Sequence, residues 1–199
     1  MTTTASPSRS APTTDTRAVL LEAAIEYMST SGPAVNFDAI AAEAGYTKGA
    51  LYHHFGSVEG LVEEVFKEAV RRHAEQVIAA SEEGTGRERL RGLVDSSAGL
   101  YGSGTPFYRL LLRLHVEAGV TRPRLAPIAK KVQSRQRRYM TELVRIGQRD
   151  GSIRGDVDAA AVGDMVNATM QGLLVQQLEA EKTQRRAALR FGELLEELL

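Results

Sequence analysis

Residues 37–61 read FDAIAAEAGYTKGALYHHFGSVEGL, and the stretch holds two short helical patterns with little between them. In the first, Phe37, Ile40, Ala41 and Ala44 share one face, and Asn36 stands where a side chain caps a first turn. Gly45 is placed to stop that helix in the left-handed conformation. In the second, Thr47 is the capping residue, Leu51, Tyr52 and Phe55 point one way, and Gly56 ends the run. Two helices joined this closely match the helix-turn-helix, whose second helix lies in the major groove of DNA while the first braces it. The expected reason for Gly45 is a turn too tight for a residue with a β-carbon. Between Glu43 and Glu59 there is no carboxylate, whereas Lys48, His53, His54 and the hydroxyls of Thr47, Tyr52 and Ser57 are available to phosphates and base edges.

The pattern stays helical on both sides. Upstream, Val19, Leu20, Ala23, Ala24, Tyr27 and Met28 recur at helical spacing from Thr16 until Gly32-Pro33 stops the run. Downstream, Ser57 caps a long helix whose stripe Leu61, Val62, Val65, Phe66, Ala69, Val70 and Val77 is expected to run to Gly84. Four or five more helices follow, including a long one near Leu125 to Asp150 and a final pair near Val157–Glu179 and Thr183–Leu199. No strand signal, internal repeat or later low-complexity segment interrupts them. The expected fold is therefore all-α, with a three-helix head over residues 15–60 and a larger helical body over 61–199.

Composition narrows the function. The 199 residues contain no Cys, which excludes disulfides, thiolate metal sites and a thiol nucleophile. No apolar run approaches the roughly 20 residues that span a bilayer. Residues 1–14 read as a Thr/Ser/Pro-rich disordered leader with no signal-peptide core, so the expected location is the cytoplasm. Net charge is zero, and its distribution runs against a polyanion partner: residues 1–67 carry four basic against eight acidic side chains. The carboxylate-free second helix reverses this locally. No catalytic constellation is found, so neither enzyme activity nor a cofactor is expected. His53 and His54 point about 100° apart on a helix and suit no shared metal.

The elements IAAEAG, LYHHF and Ser57-x-x-x-Leu61 occur in an order and spacing that resemble the DNA-binding signature of the TetR family of transcriptional repressors, over about residues 16–64. The resemblance implies a dimer that reads a pseudo-palindromic operator and a small ligand that enters the C-terminal body. It implies base contacts from Lys48, Gly49 and Ala50, phosphate contacts from Tyr52 and His54, and burial of Leu51 and Phe55. Asn36 either caps its helix or touches a phosphate. Val58 departs from the family pattern, which usually has Lys there, and weakens the phosphate grip.

The body offers less. Tyr101, Phe107, Tyr108, Leu111 and His115, with Tyr139, Met140, Met165 and Met170, are candidate linings of a ligand cavity, ordinary core being the alternative. The run Lys130, Lys131, Arg135, Arg137, Arg138 reads as a solvated helix face. Gly163, Val166, Met170, Leu173, Leu174, Phe191 and Leu195 on the last two helices are the expected homodimer interface, with closure of the protomer core as the competing reading. The combined expectation is a ligand-responsive operator-binding repressor, and the alternative a helical binding or scaffolding protein that has lost DNA affinity.

Overall fold

The computed structural model describes residues 15–31, 35–101, 103–176, 187, 190–195 and 197. The leader, the Gly32-Pro33 stop and most of the final helix lie outside the described residues. Within them the chain forms α1 (Thr16–Thr30), α2 (Phe37–Ala44), α3 (Lys48–Phe55), α4 (Val58–Ala79), α5 (Gly86–Tyr101), α6 (Pro106–Val120), a 3₁₀ turn (Pro123–Leu125), α7 (Ala126–Asp150) and α8 (Ala159–Gln176), with no strand among them.

Side chains set the first four helix starts by accepting otherwise unpaired N–H groups: Asp15 from Arg17, Asn36 from Asp38 and Ala39, Thr47 from Ala50, and Ser57 from Gly60. Pro106 opens α6, where its missing N–H costs nothing. Helices α1, α3, α5 and α6 and the 3₁₀ turn all pack on α4, and α2 packs on α1 and α3. Leu61, Val62, Val65, Phe66 and Ala69 are wholly inaccessible, so the stripe read from sequence is the spine of the molecule.

Helix α4 stops at Ala79, short of the expected Gly84. Ser81 is fully buried, with its hydroxyl 2.9 Å from the Tyr139 hydroxyl on α7 and its carbonyl accepting from Arg89 Nε at 2.7 Å. Those bonds hold the chain against the body and draw it off the helical path.

Most of the residues expected at an interface on the last two helices pack within the protomer. Val166, Met170, Leu173 and Leu195 are buried within the protomer. A β-carbon on Gly163 would lie 2.5 Å from Thr141 Oγ1, so this glycine serves close packing of α8 on α7. Phe191 is half-buried against the same core, and the Leu174 side chain lies outside the described residues. The exposed apolar side chains here are instead Met165, Val175 and Leu194. Lys130, Lys131, Arg135, Arg137 and Arg138 are exposed along α7, as a solvated face should be.

One buried group ties stability to pH. His73 on α4 stacks on Tyr101 of α5, and its Nε2 shares a 3.0 Å hydrogen bond with the Tyr101 hydroxyl. Burial disfavours the imidazolium and pushes the His73 pKa from 6.5 down to about 4. Because the folded-state value is depressed, stability is fully present above pH 6.5 and is lost as pH falls through the window down to about 4. The linkage is worth about 3 kcal/mol at most. The urea midpoint should fall across that window, and His73→Gln should flatten the decline; an unchanged pH profile in the variant would place the sensitivity elsewhere.

Candidate nucleic-acid interface

The turn between α2 and α3 follows from one backbone angle. Gly45 has φ of 72°, its N–H bonds to the Ala42 carbonyl, and the N–H of Tyr46 bonds to the Ala41 carbonyl at 2.8 Å. A β-carbon built on Gly45 meets nothing within 4 Å. The expected steric tightness is therefore corrected: glycine is needed for its left-handed conformation, and space is not the constraint.

Helix α3 is anchored from one side. Leu51 and Phe55 are buried in the core, and the Arg17 guanidinium lies 5.4 Å from the Phe55 ring centre while also pairing with Glu64 on α4. The Tyr46 hydroxyl accepts a 3.4 Å bond from Thr16. This anchoring leaves Thr47, Lys48, Gly49, Tyr52 and His53 exposed, and Ala50 and His54 half-buried. Tyr52 is 46% exposed, with its ring centre 4.9 Å from that of Phe37, so it braces α2 against α3 and still presents surface. His53 and His54 are in edge contact, ring centres 5.1 Å apart.

The capping residues resolve one expected choice. Asn36 Oδ1 accepts from the N–H groups of Asp38 and Ala39 at 2.9 and 3.2 Å, which makes Asn36 a cap and leaves its amide NH₂ for other partners. Ser57 is half-buried, with its oxygen taken by the Gly60 N–H at 3.0 Å. Val58 packs toward the core instead of extending outward as a longer basic side chain would.

Sequence reading missed the electrostatic partner of Lys48. Its ammonium donates to Asp38 Oδ2 at 2.8 Å, an ion pair from α3 back to α2 that holds the Lys48 pKa above its ordinary value. The face of α3 thus carries no carboxylate of its own but receives one from its neighbour. Ten residues separate the pair, and no local pattern signals it.

The residues expected to line a ligand cavity fall in several places, three of them in one aromatic cluster. Tyr101 and Tyr108 are buried around His73, Phe107 stands edge-on to Tyr108 at 5.3 Å, and the Tyr108 hydroxyl donates to Gln76 at 2.6 Å. Burial raises the Tyr108 hydroxyl to about 12 and lowers the His115 imidazole. Leu111, Met140 and Met170 are buried, and Tyr139 is tied to Ser81. Met165 is 62% exposed, on the side of α8 away from the core. A cavity of about 590 Å³ opens between α1 and α6 and shares no residue with this set.

This head geometry agrees with what is known of similar proteins. Residues 20–65 match the tetR family of bacterial regulatory proteins, and residues 86–199 match the C-terminal domain of BetI-type transcriptional repressors. The chain belongs to the TetR family. It is 26% identical over 184 residues to the HTH-type transcriptional regulator UidR of Escherichia coli (strain K12), covering 89% of this chain and 88% of that one. A TetR regulator from Chloroflexus aurantiacus J-10-FL shares the fold with a TM-score of 0.75 at 24% identity, over 92% of this chain and 93% of that one. A transcriptional regulator from Saccharomonospora viridis, in complex with choline, gives 0.74 at 22% identity, over 89% and 95%. TetR regulators are ligand-responsive, bind operator DNA as dimers and control transcription; this chain is one of them. Among the described residues no helix is long and apolar enough to cross a membrane.

Two substitutions test the head. Gly45→Ala should cost about 1 kcal/mol of unfolding free energy through backbone strain alone, and thermal unfolding would register it as a drop of several degrees. Asp38→Asn should release Lys48 and remove a negative charge, raising affinity for random duplex DNA at low salt severalfold in a fluorescence-anisotropy titration.

Proposed function

We propose that the chain is a homodimeric repressor that sets α3 of each protomer into the major groove of a pseudo-palindromic operator and is released by a small molecule bound in its helical body. The observation that carries this is α3 itself, anchored by Leu51 and Phe55 while Thr47, Lys48, Gly49 and Tyr52 stay exposed on a face without its own carboxylate. In this reading Lys48, Gly49 and Ala50 meet base edges. Tyr52, His53, His54, Thr47, Ser57 and the Asn36 amide NH₂ meet phosphates, fixing register without reading sequence. Residues 15–60 form the DNA-binding unit and 61–199 the ligand-binding and dimerisation unit.

The dimer seam is assigned to the outer face of α8 and the segment 190–195, where Met165, Val175 and Leu194 present apolar surface. Effector control is assigned to the aromatic cluster of Tyr101, Phe107 and Tyr108 around His73, whose buried Nδ1 has no hydrogen-bond partner. The protein acts in the cytoplasm, on the chromosome, and has no catalytic role.

Selection of bound sequences from a random duplex pool, followed by salt titration of the selected site, tests this reading. An inverted repeat should emerge, and its affinity should fall linearly on a log–log scale as salt rises. Tyr52→Phe and His54→Ala should weaken binding across all sequences, while Lys48→Ala should alter base preference. No enrichment at low salt would instead favour a helical binding protein without DNA affinity.

A further inference from the structure

The groove of about 590 Å³ lies between the C-terminal turn of α1 and α6, and none of its lining residues belongs to the His73 cluster. Met28, Leu110, Leu112 and Val116 supply its apolar walls, and Arg109, Arg113 and Glu117 its charged groups. Arg113 Nη2 donates to the Met28 carbonyl at 3.2 Å and so ties α6 to the end of α1. Its Nε is buried without a hydrogen-bond partner: the nearest carboxylate oxygen of Glu117 stands 3.7 Å away, and Glu117 already accepts from Arg122 Nε at 2.6 Å. The Ser29 hydroxyl, also lining the groove, is buried and unpaired. Arg109 is exposed and forms no ion pair with the described residues.

Two guanidiniums, Arg109 and Arg113, therefore line a groove whose one carboxylate, Glu117, is already engaged by Arg122, beside an apolar trough with unmet donors. A buried donor without a partner is costly, and an oxyanion is the acceptor that guanidinium geometry fits best. The trough beneath suits an alkyl chain. We infer that the groove binds an amphipathic anion, a carboxylate or phosphate head on a medium-length apolar tail, and that its occupation shifts the DNA-reading helices. The head group competes with the Met28 carbonyl for Arg113. Losing that bond frees the end of α1, and α1 packs directly on α2 and α4. Only the coupling half of this inference rests on the reading of α3 as a DNA reader.

Calorimetric titration of the full chain with decanoate, decyl phosphate and decanol, all below micelle formation, tests the groove. Either anion should bind at least tenfold more tightly than decanol, and the tighter of the two identifies the head group. Arg109→Gln should weaken anion binding about tenfold and leave decanol binding unmoved. Equal affinity for anion and alcohol, no binding at millimolar decanoate, or an unaffected Arg109→Gln variant would overturn the site. With the selected operator, saturating anion should lower DNA affinity about fivefold or more. Unchanged operator affinity at saturation would overturn the coupling. Should the chain select no DNA, the titrations still decide the groove, so the two readings fail separately.

Discussion

Helix α4 buries one face from Leu61 to Val77 and takes contacts from both the reading head and the body helices, and everything else in the structure is arranged around that fact. Helices α1 and α3 stand on it directly and α2 rests on both of them, while its C-terminal half carries His73 and Val77 into the body. At about 1.5–3 kcal/mol for each large apolar side chain fully buried, Leu61, Val62, Val65 and Phe66 alone outweigh any polar contact between head and body. A rigid rod about 33 Å long, shared between two packing units, cannot move in one without moving in the other. This is the physical basis on which a change among the body helices reaches α3, which meets α4 through a turn of only Gly56 and Ser57.

Around this seam the contacts are of another kind. Arg72 on α4 pairs with Glu22 on α1 and with Glu68 one turn back; Arg17 on α1 pairs with Glu64; Arg124 in the 3₁₀ turn pairs with Glu63 at 2.7 Å. Arg71 and Arg72 together draw the Glu68 carboxyl down to about 2. Several of these side chains remain well exposed, and such pairs are individually weak and readily exchanged. The apolar seam therefore keeps the head attached, while the charged pairs set its angle at low cost. That division suits a regulator, since small reorientations do not require repacking of the core.

Local features were legible in the sequence because their causes are local. Asn36, Thr47 and Ser57 cap, and Gly45 takes the left-handed conformation, since each depends on residues within one turn. The burial of Leu51 and Phe55 followed from periodicity and family resemblance together. What the sequence left open depended on tertiary choice. Helix α8 is apolar around much of its circumference, so nothing in its periodicity distinguished Val166, Met170 and Leu173, which face inward, from Met165 and Val175, which face outward. The Lys48–Asp38 pair joins two helices whose relative pose the sequence does not state. The early end of α4 depends on Ser81 meeting Tyr139, a partner fifty-eight residues away.

The aromatic residues of the body show a related limit. Tyr, Phe and His compose both a ligand box and a packed core, and here Tyr101, Phe107 and Tyr108 pack on one another and on His73. The distinction lies in polar satisfaction. The Tyr101 and Tyr108 hydroxyls have partners within the protein, whereas His73 uses one ring nitrogen and leaves the other buried and unpaired. A cluster optimised only for packing would gain by an apolar side chain at this position, because half-satisfied burial of imidazole costs stability. His73 joins α4 to α5 through Tyr101 and to α6 through Tyr108, so a partner for its free nitrogen would be bound where three helices meet and where the rod under the DNA-reading head begins its passage through the body.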